Sequence, residues 1–292
     1  MTQSANNTSE AAAYGVQVKE AAAYVESRLG SYKPVIGLIL GSGLGDLGDQ
    51  IEDAVYLPYE EIPHFPRSTV EGHAGRFVIG KLEGKDVIIM QGRFHYYEGY
   101  AMRKVVLPVY VLAKLGIGTL VITNAGGGMN RAFKAGDLML ITDHLNMTGD
   151  NPLIGPNDPE LGVRFPDMSR AYDPEYIALA KKLAPEIKGE DGESLKLQEG
   201  VYAGISGPTY ETPSELNMLA FLGGDAVGMS TVPEVIAASH SRLRVLGITC
   251  ITDMAIGDEL EPLTHEQVVK VANRTKPKFI GLVRAFVREV QI

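Results

Sequence analysis

The chain has 292 residues, 45% hydrophobic and 22% charged, enough for one large core or two modest domains in an ordinary globular protein. A formal net charge of −9 without any Lys/Arg run excludes nucleic acid and anionic membrane as expected partners, so an anionic ligand must be held by a few placed donors. One cysteine, Cys250, excludes an intrachain disulfide framework and any multi-cysteine metal site.

In chain order, residues 1–9 read as a disordered tail and 10–29 as an Ala-rich helix. Apolar β-type runs follow at 35–40, 76–82, 86–91, 119–123, 137–142, 200–206 and 245–252. Helical patterns lie at 103–115, 173–184, 214–222, 233–243 and 264–289. Strands apolar on both faces that alternate with helices predict an α/β fold, a single domain over 10–292 with a covered central sheet. Two long irregular stretches, 58–75 and 144–172, are of the kind that carries function, whereas 186–196 is a charged surface insertion. No apolar run reaches the roughly 18 residues of a membrane-spanning helix, and the polar start is not a signal peptide, so a cytoplasmic, reduced setting is expected.

Glycines and hydroxyls gather where strands end. The run 35–40 leads into Gly41-Ser-Gly-Leu-Gly45, whose backbone N–H groups suit an anion. Gly43 to Gly48 also matches the dinucleotide fingerprint, but the acids at the right spacing, Glu60 and Glu61, sit between Pro58 and Pro63, which argues against the strand that motif needs. Arg93 and His95, two apart after 86–91, share one face of an extended segment and suit phosphate oxygens, though solvated residues at a strand end would look the same. Thr123-Asn-Ala-Gly-Gly-Gly is read as a second exposed glycine turn. Ser230 precedes a proline suited to a first helical turn, so it reads as a helix cap, an anion donor or both. Glu211, beside Tyr210 and before Pro213, is either a first-turn acid or a reader of a planar ring's N–H edge. Asp253 closes the run 245–252 as a turn former or a site acid. No paired-histidine motif predicts a metal, and no G-x-S-x-G elbow predicts a serine nucleophile.

These motifs, with Pro63-His-Phe-Pro-Arg-Ser-Thr-Val-Glu-Gly-His-Ala-Gly-Arg76, Gly92-Arg-Phe-His, Gly207-Pro-Thr-Tyr-Glu-Thr and Asp225-Ala-Val-Gly-Met-Ser-Thr-Val-Pro-Glu234, resemble the trimeric purine nucleoside phosphorylases from about residue 12 to 288. The resemblance implies the nucleoside phosphorylase fold, a central mixed β-sheet flanked by helices, and reversible phosphorolysis of purine (deoxy)ribonucleosides to free base and α-D-(deoxy)ribose 1-phosphate. It implies that Ser42, His73, Arg93, His95, Ala125 through its backbone, and Ser230 hold phosphate. Tyr97, Met229 and His265 would bound the ribose, covered by Phe165 of a neighbouring subunit in a homotrimer, and Tyr210, Glu211, Val227 and Asp253 would meet the base. Inorganic phosphate is then a co-substrate, with no cofactor, and His95, Glu211 and Asp253 carry the catalysis.

One position departs from the pattern. The family's 6-oxopurine members have Asn where this chain has Asp253. An ionised Asp only accepts hydrogen bonds, so it repels O6 and welcomes a 6-amino group, whereas a protonated Asp donates. Inosine and guanosine are the expected substrates, with broadening to adenosine. A 5′-methylthioadenosine phosphorylase, which also has Asp there, is the alternative. A nucleosidase would share the base and ribose contacts without needing Arg93 and His95 around phosphate.

Overall fold

The computed structural model describes residues 2–41, 44–70, 74–189, 192–262 and 264–292, the side chains of 2–11 and 265 excepted. The elements are α1 (Thr2–Glu26), β1 (Ile36–Leu40), β2 (Glu52–Pro58), β3 (Arg76–Leu82), β4 (Lys85–Gln91), α2 (Met102–Val105), α3 (Leu107–Lys114), β5 (Thr119–Gly128), β6 (Leu138–Met147), α4 (Pro174–Leu183), β7 (Leu197–Ile205), α5 (Pro213–Phe221), β8 (Ala226–Gly228), α6 (Val232–His240), β9 (Arg244–Met254) and α7 (His265–Glu289).

The strands form one mixed sheet in the order β2-β3-β4-β1-β5-β8-β7-β6-β9, and β9 pairs back onto β5. The last five strands therefore close into a small barrel, and β1, β4, β3 and β2 extend from it as a wing. Strand alternation divides the core between two layers. Ile36, Leu38 and Leu40 pack with Tyr176 of α4 and Leu282 and Phe286 of α7. Ile39 packs with Val18 of α1, Leu107 of α3 and Val235 of α6. Each such fully buried aliphatic side chain contributes about 1.5–3 kcal/mol.

The single α/β domain with a helix-flanked mixed sheet agrees with the sequence reading. Four details differ from it. Helix α1 begins at Thr2 and takes in most of the expected tail, since extending a helix costs far less than starting one. The helix expected over 103–115 is split at Val106, ahead of Pro108 in the first turn of α3. The Gly126–Gly128 run is not an exposed turn: β5 continues to Gly128, paired with β9 and β8. Strands β2 and β8 carried no readable signal. Most of β2 is exposed at the sheet edge, where its Pro58 is tolerated, and β8 is three residues long. Among the described residues no helix is long and apolar enough to cross a membrane.

Candidate active site

The anion end of the site arises where β5 changes partner. Pairing of β1 with β5 stops at Ile39–Ile122, and β8 takes up the same side of β5 only at Gly127. In the gap, Thr123 turns its groups to side chains and loops. Its Oγ1 donates to the Ile39 carbonyl and accepts from the Gly41 N–H, each at 3.0 Å. Gly41 must be glycine here, because a Cβ would come within 2.5 Å of the Thr123 carbonyl oxygen. That carbonyl accepts from Arg93 Nη1 at 2.7 Å.

Arg93 follows β4 and is buried. Its Nε donates to Glu234 Oε1 at 3.0 Å, and its Nη1 also reaches Ser230 Oγ at 3.3 Å. His95 points into the same cavity, stacked on Tyr97 with ring centroids 4.7 Å apart. Glu98 Oε1 accepts from the His95 backbone N–H at 2.7 Å and lies 3.2 Å from its Nδ1. Burial alone would raise the Glu98 carboxyl, but hydrogen bonds from His95 and Thr69 outweigh it and bring it down to about 2. An ionised Glu98 assigns the proton to His95 Nδ1 and so orients the ring.

Ser230 sits on a strained turn. Thr231 has φ 72° and ψ −53°, and the Val232 N–H donates to the Ser230 carbonyl at 2.8 Å, a γ-turn of positive φ. A β-branched residue there costs about 1–3 kcal/mol and persists only where its surroundings impose it. The cap of α6 is thus Thr231 rather than Ser230, which leaves the Ser230 hydroxyl to the cavity.

The other end of the cavity is acidic and partly apolar. Asp253, near the end of β9, and Val227, on β8, flank Gly127 of β5 in register. A Cβ at Gly127 would lie 2.8 Å from the Ala255 Cβ and 3.1 Å from Asp253 Oδ2, so glycine permits this close approach. Thr252 Oγ1 donates to Asp253 Oδ1 at 2.9 Å. Burial pushes the Asp253 carboxyl up, and it pushes Glu211 up as well, with the Asp253 charge adding to the shift. Glu211 and Tyr210 directly precede α5, whose start is held by Thr212 and Glu215. Met229 and Tyr97 line the same cavity.

One cavity of about 560 Å³ therefore joins Arg93, His95, Ala125 and Ser230 to Tyr210, Glu211, Val227 and Asp253, and Tyr97 and Met229 also line it. That volume suits a small-molecule ligand. Phe165 is 86% exposed and does not line it. Ser42 and His73 lie outside the described residues, as does the side chain of His265, which opens α7. Sequence reasoning missed Asn124, Thr252 and the rim at 259–262 in the cavity wall, and Glu98 and Glu234 behind it. Glu234 had a signal, the Thr-x-x-Glu spacing from Thr231.

Residues 35–288 match the family described as the phosphorylase superfamily. The chain is 54% identical over 275 residues to purine nucleoside phosphorylase 1 of Bacillus subtilis (strain 168), covering 94% of this chain and 99% of that protein. The chain belongs to the purine nucleoside phosphorylase family.

Two solved structures agree with this phosphorylase in fold. Isoform 2 of purine nucleoside phosphorylase from Schistosoma mansoni, in complex with cytosine and ribose-1-phosphate, has a TM-score of 0.88 at 43% identity, covering 94% of this chain and 97% of that one. Schistosoma mansoni purine nucleoside phosphorylase in complex with adenosine has a TM-score of 0.87 at 39% identity, with the same coverage. As a purine nucleoside phosphorylase, the enzyme catalyses reversible phosphorolysis of purine (deoxy)ribonucleosides to free base and (deoxy)ribose 1-phosphate, a reaction of purine salvage.

Proposed function

We propose that phosphate binds at Arg93, His95, the Ala125 backbone and Ser230, completed by Ser42 and His73, and that the purine sits against Tyr210, Glu211, Val227 and Asp253. The observation that carries this reading is the polarity of one cavity, with Arg93 and the Ser230 hydroxyl toward one end and the Glu211 and Asp253 carboxyls toward the other. Tyr97, Met229 and His265 bound the ribose in between. Cleavage of the C1′–N9 bond leaves positive charge on the sugar and sends the bonding electrons to the purine. Phosphate held beside C1′ stabilises that cation and then bonds to it, so no protein nucleophile or cofactor is needed. His95 holds and orients the phosphate, while Glu211 and Asp253 bind the base edge and supply the proton that makes the purine a good leaving group.

Asp253 sets the base preference in this reading. Ionised, it accepts from a 6-amino group; protonated, which its burial favours, it donates to N7. The ionised form favours adenosine and repels the O6 of inosine and guanosine, whereas the protonated form admits all three. Measuring kcat/KM for the three nucleosides tests this. The adenosine-to-inosine ratio should fall by about tenfold or more in Asp253→Asn; an unchanged ratio refutes the assignment.

We also read the assembly as a homotrimer in which Phe165, exposed on its own chain, covers the neighbour's ribose. A cytoplasmic location goes with the single free thiol, Cys250.

A further inference from the structure

Glu234 is a buried carboxylate with no part in the reaction as derived above, and its two oxygens hold two different groups. Oε1 accepts from Arg93 Nε at 3.0 Å, and Oε2 accepts from the Thr231 backbone N–H at 3.0 Å. Thr231 is fully buried, with its Oγ1 accepting from Asn124 Nδ2 at 2.8 Å and lying 3.2 Å from Ser230 Oγ. We propose that Glu234 and Thr231 are positioning residues, a clamp that locks the Arg93 guanidinium and the strained Ser230–Thr231–Val232 turn into one preset phosphate corner. The inference rests on the assignment of phosphate to Arg93 and Ser230.

The plain alternative is a helix cap. A Thr-x-x-Glu pair does close the start of α6. Capping alone, however, explains neither half of the geometry. A capping residue ordinarily takes extended φ/ψ, not a positive φ, and a capping carboxylate needs no arginine on its second oxygen. Thr231 here departs from relaxed backbone in a place where Asn124 from β5 and Glu234 from α6 both hold it. Strain maintained from two elements beside two anion donors is preorganisation: Ser230 Oγ and Arg93 Nη1 stand 3.3 Å apart and need not be gathered when the ligand arrives.

The separate KM values for phosphate and nucleoside, with the thermal midpoint of each variant, decide the matter. In Glu234→Gln the amide oxygen can serve one donor, and its NH2 faces the other. The phosphate KM should rise roughly tenfold to a hundredfold while the nucleoside KM stays within about twofold. Thr231→Gly relieves the positive φ and removes the hydroxyl. It should fold and raise the phosphate KM similarly, whereas Thr231→Ser, which keeps Oγ, should stay within about threefold of wild type. Ser230→Ala and Arg93→Gln calibrate the site. If neither raises the phosphate KM, the phosphate assignment itself is wrong. If both do, but Glu234→Gln and Thr231→Gly move the thermal midpoint alone or both KM values equally, the clamp is merely structural. Should Glu234→Gln fail to fold, the contrast between Thr231→Gly and Thr231→Ser separates the two roles.

Discussion

Two carboxyl groups, Glu211 and Asp253, share the base end of the cavity, and burial raises both. A carboxyl raised in the folded state adds stability below its unfolded value, and that contribution is lost as pH rises through the folded value. The ionised pair is therefore a cost to the fold at neutral pH. Asp253→Asn removes the charge that also raises Glu211, so its melting temperature should exceed wild type at about pH 7–8. The gain should shrink as pH falls through the carboxylate range, because protonation removes the cost of the buried charges. Thermal unfolding across that range checks the sign. Asp253 and Glu211 were readable as candidate acids because each ends a strand-like run or precedes a helix. Their raised state was not, because it depends on neighbours brought together from β9 and the entry to α5. The same holds for Arg93, a candidate anion donor from its spacing whose carboxylate partner lies 141 residues away.

Among the elements, α5 shows how local chemistry positions a side chain of the site. Pro213 stands in its first turn, Thr212 Oγ1 accepts from the Glu215 N–H at 3.3 Å, and Glu215 Oε2 accepts from the Thr212 N–H at 2.7 Å. That box fixes the chain immediately after Tyr210 and Glu211. Thr212→Ala should cost about 1 kcal/mol of stability, read as a lower midpoint in urea. It should raise the nucleoside KM and leave the phosphate KM unchanged, since the phosphate donors lie on other elements. Apart from the start of α1 and the far ends of β5 and β6, helices and long apolar strands were legible in the sequence to within a few residues, because periodicity reports burial directly. Strand β8 was not, though it carries Val227 and leads into Ser230: three residues hold no period. The glycines of β5 looked like a turn for a related reason. Glycine marks close backbone approach as readily as it marks a bend, and here Asp253 and Ala255 crowd against Gly127.

For the whole molecule, the decisive event is closure. Strand β5 pairs with β1 along its first half, with β8 at its end and with β9 throughout, and the anion corner opens where the first partner leaves and before the second arrives. Phe165, Ile154 and Val163 are exposed apolar side chains on the long segment between β6 and α4. Exposed apolar groups on one such segment favour contact with another copy. If Phe165 covers the neighbour's ribose, Phe165→Ala should raise the nucleoside KM by about tenfold, the scale of one lost aromatic contact. Wild-type activity per chain should also fall on dilution below the assembly's dissociation range. A sedimentation series run beside the assay checks both, and a monomer of full activity overturns the reading.

The sequence by itself determined the α/β class, the order of the elements other than β2 and β8, and the identity of most candidate donors, because burial period, turn residues and short motifs are local properties written along the chain. It also carried the departure at Asp253, a single residue whose chemistry can be argued without coordinates. Only the tertiary structure decided that Arg93, Ser230 and Glu234 form one network, that Thr231 is strained, and that the Asp253 charge adds to the cost of ionising Glu211. Those properties depend on distances between residues far apart in the chain, and such distances exist only once β5 has been enclosed by its three partners.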